Sequence, residues 1–142
     1  MDEYANGGGV RKLFAKYYYL KIYQKYNCCI FPSAVVGKGF KVYHPVGIVI
    51  GKCKIGTNCT ILQNVTIGEK VLGEYKTDNT CYPIIGNDVI VGAGACILGG
   101  ISVFNNICIG ANAVVLKDLK YQGAYGGIPV KMLKKNISSK QN

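Results

Sequence analysis

A repeat of six residues runs through the middle of this 142-residue chain and restricts its fold more than any other feature. Every sixth residue from Ile85 to Val115 is Ile or Val, and two earlier blocks obey the same rule. These positions, called anchors below, are Ile30, Val36, Val42, Ile48, Ile55, Ile61, Ile67, Ile85, Val91, Ile97, Val103, Ile109 and Val115. Six residues are too few for a helix-turn unit, and β-branched residues suit short strands. The repeat therefore predicts a parallel β-solenoid in which the anchors form a buried ladder.

The residues around the anchors indicate one strand and one corner in each hexad. Glycine follows many anchors, as at Gly56, Gly86 and Gly92, and the fifth position of the hexad is small or apolar. Glycine supplies the backbone freedom that a tight bend needs. An ordinary β-sandwich would instead show alternation with period two and irregular turns, so we prefer the solenoid.

The ladder is interrupted twice. Seven residues separate Ile48 from Ile55, which indicates a slip in register, and residues 69–83 contain no hexad. The second segment is polar and includes Gly73 and Pro83, so we expect a loop that projects from the solenoid.

Both ends of the chain differ from the repeat. Residues 10–26 lack Gly and Pro, and an apolar stripe at helical spacing predicts a helix there. The stripe consists of Val10, Leu13, Phe14, Tyr17 and Leu20. We divide the chain into an N-terminal helical segment (1–27), a β-helix domain (28–119) with the loop 69–83, and a basic C-terminal extension (120–142).

Composition excludes several classes of protein. With 49% hydrophobic and 17% charged residues the chain is too apolar for disorder, and no apolar run reaches the ~20 residues of a membrane-spanning helix. The acidic start and interspersed lysines do not resemble a signal peptide, which predicts a cytoplasmic location. Seven cysteines without a C-x-x-C pair are expected to be free thiols, and a single His gives no reason to expect a metal site.

The formal net charge of +10 favours an anionic partner. Basic residues crowd both ends of the chain, and residues 77–116 contain none. A nucleic acid, a membrane surface and a phosphorylated cofactor would all fit this charge. No stacking-aromatic motif supports nucleic-acid binding, so we expect none, while weak association with a membrane surface stays open.

His44 is the only imidazole in the chain and the candidate catalytic base. It follows the anchor Val42, and Pro45 and Gly47 beside it are costly in a plain strand and common at a bend. An imidazole with its ordinary pKa of about 6.5 can take a proton from a hydroxyl near neutral pH. A purely structural histidine is the alternative.

Several segments together resemble a known family. VYHPVGIVIG, QNVTIG, GAGACILGG and IGANAVVLKD, closed by GGIPVK, resemble the serine acetyltransferase branch of the hexapeptide-repeat acyltransferases. The resemblance covers about residues 28–135 and is closer still to the short capsule and exopolysaccharide O-acetyltransferases. It implies a left-handed parallel β-helix, a homotrimer, and acetyl-CoA bound between neighbouring subunits.

The resemblance also implies roles for individual residues. The family's catalytic histidine falls on His44, and its acetyl-CoA-binding positions fall on Gly92, Ala93, Gly110, Ala111, Gly127, Pro129 and Lys131. The basic tail would receive the phosphates of CoA. Tyr43 and Tyr82 stand where the family has an aspartate and a second histidine near the acceptor, and Cys29 stands where an aspartate orients the catalytic histidine.

These replacements favour a sugar as the acceptor. Tyrosines suit the partly apolar faces and neutral hydroxyls of a sugar, whereas an amino acid needs fixed charges to match its own. We therefore predict an acetyl-CoA-dependent O-acetyltransferase acting on a sugar hydroxyl of a bacterial surface polysaccharide or its precursor. Two alternatives stay open: an L-serine O-acetyltransferase of cysteine biosynthesis, and a non-catalytic β-solenoid binding module.

Overall fold

The structure is a computed structural model that describes residues 9–70 and 81–135. In these ranges one helix is followed by fifteen strands. The elements are α1 (Gly9–Tyr26), β1 (Cys29–Ile30), β2 (Val35–Val36), β3 (Lys41–Val42), β4 (Val49–Ile50), β5 (Lys54–Ile55), β6 (Thr60–Ile61), β7 (Thr66–Gly68), β8 (Ile84–Ile85), β9 (Ile90–Val91), β10 (Cys96–Leu98), β11 (Ser102–Val103), β12 (Ile107–Ile109), β13 (Val114–Val115), β14 (Gly123–Gly126) and β15 (Lys131–Lys135).

The strands form three sheets that run along the solenoid. The first sheet has the order β1-β4-β7-β10-β13, the second β11-β8-β5-β2, and the third β15-β14-β12-β9-β6-β3. All paired strands are parallel except β14 and β15. Each coil contributes one strand to each sheet, and about five coils build a left-handed β-helix. The predicted fold is confirmed.

The core lies inside the three sheets. Anchors of successive coils are paired in register, as Ile67 with Ile97 and Ile61 with Val91, and these four side chains are buried. The residue two positions before an anchor, such as Ala95, also points inward and is buried. Full burial of an Ile or Val side chain contributes roughly 1.5–3 kcal/mol, so the stacked anchors hold the coils together.

The structure corrects one anchor. Ile50, not Ile48, pairs with Ile30 and Ile67 in the first sheet. Ile48 is buried, but it occupies the inward position two residues earlier. Eight residues therefore separate Val42 from Ile50, and five separate Ile50 from Ile55. The irregularity begins at the turn that contains His44.

The turns from the third sheet to the first, called the third corner below, lie at residues 43–48, 62–65, 92–95 and 110–113. A left-handed backbone recurs in them, at Gly47, Asn64, Gly94 and Asn112 with φ of 64°, 58°, 71° and 56°. Glycine and asparagine are the residues that tolerate this conformation best. A Cβ at Gly47 would approach Asn64 Oδ1 too closely, so a larger residue there would require the Asn64 side chain to move.

The solenoid continues beyond the last predicted anchor. Leu119 forms a bridge with Val103, and β14 pairs with β12 so that Tyr125 lies beside Ile109. Both Leu119 and Tyr125 are buried. The hexad does not predict this coil, because only four residues separate Val115 from Leu119. Residues 136–142, part of the predicted C-terminal extension, lie outside the described residues.

The first coil is less well covered than the others. Its anchors Ile30 and Val42 are only half-buried, and Val36 is exposed. The predicted helix is confirmed as α1, which packs on this coil through Ile22 and through Tyr19 beside Phe31. Its predicted apolar stripe faces solvent instead.

Two further predicted segments lie partly or wholly outside the described residues. Residues 71–80 make up most of the predicted loop 69–83, and residues 1–8 precede α1. The described ends of the loop join β7 to β8, which belong to the first and second sheets.

Candidate active site

The third corner forms a continuous edge along the solenoid. Backbone hydrogen bonds join one turn to the next: Asn64 N–H donates to Val46 O at 2.9 Å, Gly94 N–H to Gln63 O at 2.9 Å, and Asn112 N–H to Ala93 O at 2.8 Å. Val46, Gln63, Ala93 and Ala111 therefore occupy equivalent positions in successive coils. An extended ligand that contacts one of these positions can therefore reach the equivalent position in the next coil.

His44 lies on a two-residue insertion at the first turn of this edge. The turn 43–48 has six residues, whereas the turns 62–65, 92–95 and 110–113 have four. Because Val46 is equivalent to Gln63, the extra residues are His44 and Pro45. Val46 N–H donates to His44 O at 2.7 Å, and His44 has a left-handed φ of 53°. The insertion turns the imidazole out of the regular coil, where it is exposed.

No side chain in the described parts of the chain hydrogen-bonds the His44 imidazole. The neighbouring Tyr43 is also exposed, with 54% of its surface accessible. Both side chains can therefore contact a ligand, and no side-chain hydrogen bond from residues 9–70 or 81–135 orients the imidazole.

The two Gly-Ala turns present free backbone donors. Gly92 N–H donates to Ile109 O at 2.7 Å and Gly110 N–H to Tyr125 O at 2.7 Å, but the N–H groups of Ala93 and Ala111 find no acceptor within residues 9–70 and 81–135. A Cβ on Gly92 would lie 2.6 Å from Ala111 N, so only glycine permits this close stacking. The edge thus offers two N–H groups to the carbonyl oxygens of an extended ligand.

The closing GGIPVK segment crosses the same edge one coil further on. Gly127 O accepts from Val114 N–H at 3.2 Å, and Val130 N–H donates to Val114 O at 3.1 Å. Pro129 lies between them and follows a cis peptide bond. Lys131 lines a cleft of about 260 Å³ together with Lys117, Lys120 and Asp118, so three cationic side chains and one carboxylate surround one small space.

Tyr82 and Cys29 are not on this edge. Tyr82 precedes β8 at the turn from the first sheet to the second, where Lys52 Nζ lies 5.0 Å from the centre of its ring. The Cys29 thiol and the Tyr19 hydroxyl share a hydrogen bond of 3.1 Å, which raises the pKa of Tyr19. Within one chain, therefore, the structure brings together His44, Tyr43, both Gly-Ala turns, Gly127 and Pro129, but not Tyr82.

Gln63 is a residue of this edge that sequence analysis did not single out. It lies between the turn of His44 and the first Gly-Ala turn, and its Oε1 is buried without a hydrogen-bond partner among the described residues. Its position was readable from the repeat, because Gln63, Ala93 and Ala111 each stand four residues before an anchor.

Three cysteines of the solenoid, Cys53, Cys59 and Cys108, are poor nucleophiles. All seven cysteines are free, as predicted. Desolvation raises the pKa of Cys53 to about 12 and also raises the pKa values of Cys59 and Cys108. Since the thiolate is the reactive form of cysteine, these three side chains are unsuited to covalent catalysis near neutral pH.

Residues 9–70 and 81–135 contain no group of three or more His, Cys, Asp or Glu side chains that could hold a metal ion. In the same ranges, no helix has both the length and the apolar character needed to cross a membrane.

The fold is that of the hexapeptide-repeat acyltransferases, a class of left-handed β-helix proteins. Within that class the chain is a homologue of serine acetyltransferases, which confirms the predicted resemblance. It is 41% identical over 108 residues to a serine acetyltransferase of Staphylococcus aureus (strain Mu50), which is 75% of this chain and 49% of that protein. It is 40% identical over 108 residues to a serine acetyltransferase of Staphylococcus xylosus, covering 75% of this chain and 48% of that protein.

Solved structures give the same result. The serine acetyltransferase of Neisseria gonorrhoeae is similar with a TM-score of 0.80 and 32% identity, covering 96% of this chain and 50% of that one. Soybean serine acetyltransferase complexed with serine is similar with a TM-score of 0.76 and 35% identity, covering 87% of this chain and 49% of that one. The chain spans about half the length of the curated relatives it matches. No protein-family model matches it.

Proposed function

We propose that this protein is an acetyl-CoA-dependent O-acetyltransferase in which His44 is the general base. One observation carries the proposal: the exposed His44 stands on an insertion in the same edge that presents the free N–H groups of Ala93 and Ala111. A base and a row of backbone donors are thereby aligned along one corner. This arrangement suits a thioester donor that lies along the edge with its reactive end toward His44.

The reaction follows from these groups. The imidazole of His44 takes the proton of the acceptor hydroxyl, and the hydroxyl oxygen attacks the thioester carbonyl. A backbone N–H of the edge stabilises the negative oxygen that forms. When the C–S bond breaks, the thiolate of CoA leaves with the electron pair and takes the proton from the imidazolium. The acetyl ester and free CoA are the products, and His44 returns to its starting state.

The proposed path of the donor accounts for the other residues. Gly92, Ala93, Gly110 and Ala111 would hold the pantetheine arm through backbone groups. Beyond them, Gly127 and Pro129 extend the edge, and the cleft lined by Lys131, Lys117 and Lys120 would receive the phosphates of CoA as point charges. Because these contacts are remote from His44, binding of CoA and proton transfer can be separated by mutation.

We propose a homotrimer in which a neighbouring subunit completes the site. The imidazole has no partner in the described part of its own chain, and Tyr82 lies on a different corner, so a second subunit would have to bring Tyr82 to His44. Light scattering should give three chains per particle. A uniform monomer that still acetylates its acceptor would overturn this assembly. The proposal also places the enzyme in the cytoplasm.

L-serine is the acceptor that the comparisons support. The relatives are named serine acetyltransferases, and the soybean protein was solved in complex with serine. They therefore favour the alternative of the sequence analysis over its main prediction. On this proposal the protein acetylates the hydroxyl of serine.

A sugar hydroxyl is the second candidate, and one observation favours it. None of the residues in the turns 43–48, 62–65, 92–95 and 110–113 carries a charge apart from a protonated His44. An amino acid bound at this edge would need charged partners from elsewhere, because an unpaired buried charge is costly. Tyr43 could instead pack against a sugar ring and bond its hydroxyls.

An acceptor panel tests both candidates. Release of CoA thiol from acetyl-CoA should be measured with L-serine and with several hexoses and amino sugars, using the wild type and His44→Asn. Serine is the acceptor if its kcat/KM exceeds that of every sugar by tenfold or more, and the opposite ratio supports a sugar. If no acceptor releases thiol and acetyl-CoA does not bind, the protein is a non-catalytic module and the proposal is wrong.

A further inference from the structure

The side of α1 that faces away from the solenoid is apolar and uncovered. Four of its side chains expose more than half of their surface: Val10 (68%), Leu13 (70%), Phe14 (58%) and Tyr17 (53%). The opposite side of α1 packs on the first coil through Ile22 and Tyr19. The helix therefore has two apolar sides, and only one of them packs against the described part of the solenoid.

Basic residues accompany this outward face. The sequence of α1 contains Arg11, Lys12, Lys16, Lys21 and Lys25 and no acidic residue. Lys21 Nζ lies 5.6 Å from the centre of the Tyr17 ring, so its charge sits beside the exposed aromatic face. At 100° per residue, Lys16 and Lys25 fall on opposite flanks of the apolar stripe. Apolar and aromatic side chains flanked by lysines are typical of helices that lie in the interface of a membrane.

We propose that the outward face of α1 docks on a membrane surface that contains anionic lipid. Lipid headgroups would pair with the lysines while Leu13, Phe14 and Tyr17 enter the boundary between headgroups and acyl chains. The charge of this face argues against a second copy of the chain as the occupant, because two such faces would bring six lysines together and α1 contains no acidic residue. This inference does not depend on the chemistry at His44.

Flotation of the full chain with lipid vesicles tests the proposal. Vesicles of phosphatidylcholine mixed with phosphatidylglycerol should bind the protein, vesicles of phosphatidylcholine alone should not, and added salt should weaken the binding. Each lysine near an anionic surface strengthens binding by about fivefold, so Lys16→Gln/Lys21→Gln/Lys25→Gln should lower the partition coefficient by about a hundredfold.

A matched control variant distinguishes an effect of the outward face of α1 from an effect of the net charge of the protein. Lys38→Gln/Lys41→Gln/Lys54→Gln removes the same charge from exposed positions on the solenoid and should leave vesicle binding unchanged within a factor of three. Leu13→Ser/Phe14→Ser removes the apolar part of the face and should also abolish binding. Far-ultraviolet circular dichroism confirms the fold of each variant.

Three outcomes would overturn the proposal. The first is equal binding of both vesicle types, and the second is equal loss of binding in the two lysine variants. The third is absence of binding to the anionic vesicles; a lower particle mass of Leu13→Ser/Phe14→Ser by light scattering would then assign the face to an interface between copies of the chain.

Discussion

Deleting His44 and Pro45 should remove activity and leave the fold intact. The deletion shortens the turn 43–48 from six residues to four, the length of the turns 62–65, 92–95 and 110–113. The bond from Asn64 N–H to Val46 O, which joins this turn to the next coil, does not involve the deleted residues. The coils can therefore keep their register while the imidazole is lost.

The effect on stability should be small because two contributions oppose each other. The deletion loses the hydrogen bond from Val46 N–H to His44 O, worth about 1 kcal/mol at an exposed site. It also removes a non-glycine residue held at a φ of 53°, a conformation that costs roughly 1 kcal/mol. The free energy of unfolding should change by less than about 1 kcal/mol, which corresponds to a shift in Tm of less than about 4 °C.

The effect on catalysis should be large. Loss of a general base lowers kcat by roughly 10²- to 10⁴-fold, and the release of CoA thiol measures it directly. His44→Asn is the matched variant, because asparagine tolerates the left-handed backbone and keeps the turn at its full length. Both variants should lose activity to a similar extent while binding CoA almost as the wild type does.

Three results would refute this reasoning. A fall in Tm of more than about 10 °C in the deletion variant would mean that the two residues are not an insertion in a regular turn. Activity within threefold of wild type in both variants would remove His44 from the mechanism. If His44→Asn stays active while the deletion variant is inactive, activity depends on the backbone conformation of the turn and not on the imidazole.

Two further predictions concern the solenoid. Ile97 is fully buried between Ile67 and Val115, so Ile97→Ala should lower the free energy of unfolding by about 2–5 kcal/mol in urea, and a loss below about 1 kcal/mol would contradict the stacking. Burial raises the pKa of Cys53 from 9.0 to about 12, so the neutral thiol contributes stability that is fully present below pH 9 and is lost as the pH rises toward 12. Cys53 should accordingly react with iodoacetamide at pH 8 only after unfolding, and rapid labelling of the native protein would disprove its burial.

The regular part of the fold was predictable because burial at every sixth residue is a local pattern. The parallel solenoid and the buried anchors from Ile55 to Val115 follow from it directly. The prediction of Ile48 as an anchor was wrong because Ile48 and Ile50 are both isoleucine and both point inward. Residue type alone does not show which of the two is the anchor. Only pairing with the neighbouring coils distinguishes the anchor.

The candidate site was predictable to the extent that it follows the same repeat. The two Gly-Ala turns directly follow the anchors Val91 and Ile109, and His44 follows the anchor Val42 on an insertion in the equivalent turn; the structure aligns all three turns on one edge. The position of Tyr82 was not predictable, because the hexad stops at residue 69 and the spacing gives no register across the loop. The hydrogen bond between Cys29 and Tyr19 was not predictable either, because it depends on how α1 packs on the first coil.

The open first coil has a consequence for how this protein loses function on warming. Repeat proteins fray from their ends, and the coil with the least buried core opens at the lowest free-energy cost. Here that coil contains the half-buried Ile30 and Val42, and it leads directly into the turn that holds His44. The later coils, closed by β14 and β15, can stay intact while the first one opens. We therefore expect the proposed activity of His44 to be lost at a lower temperature than that of the global unfolding of the later coils.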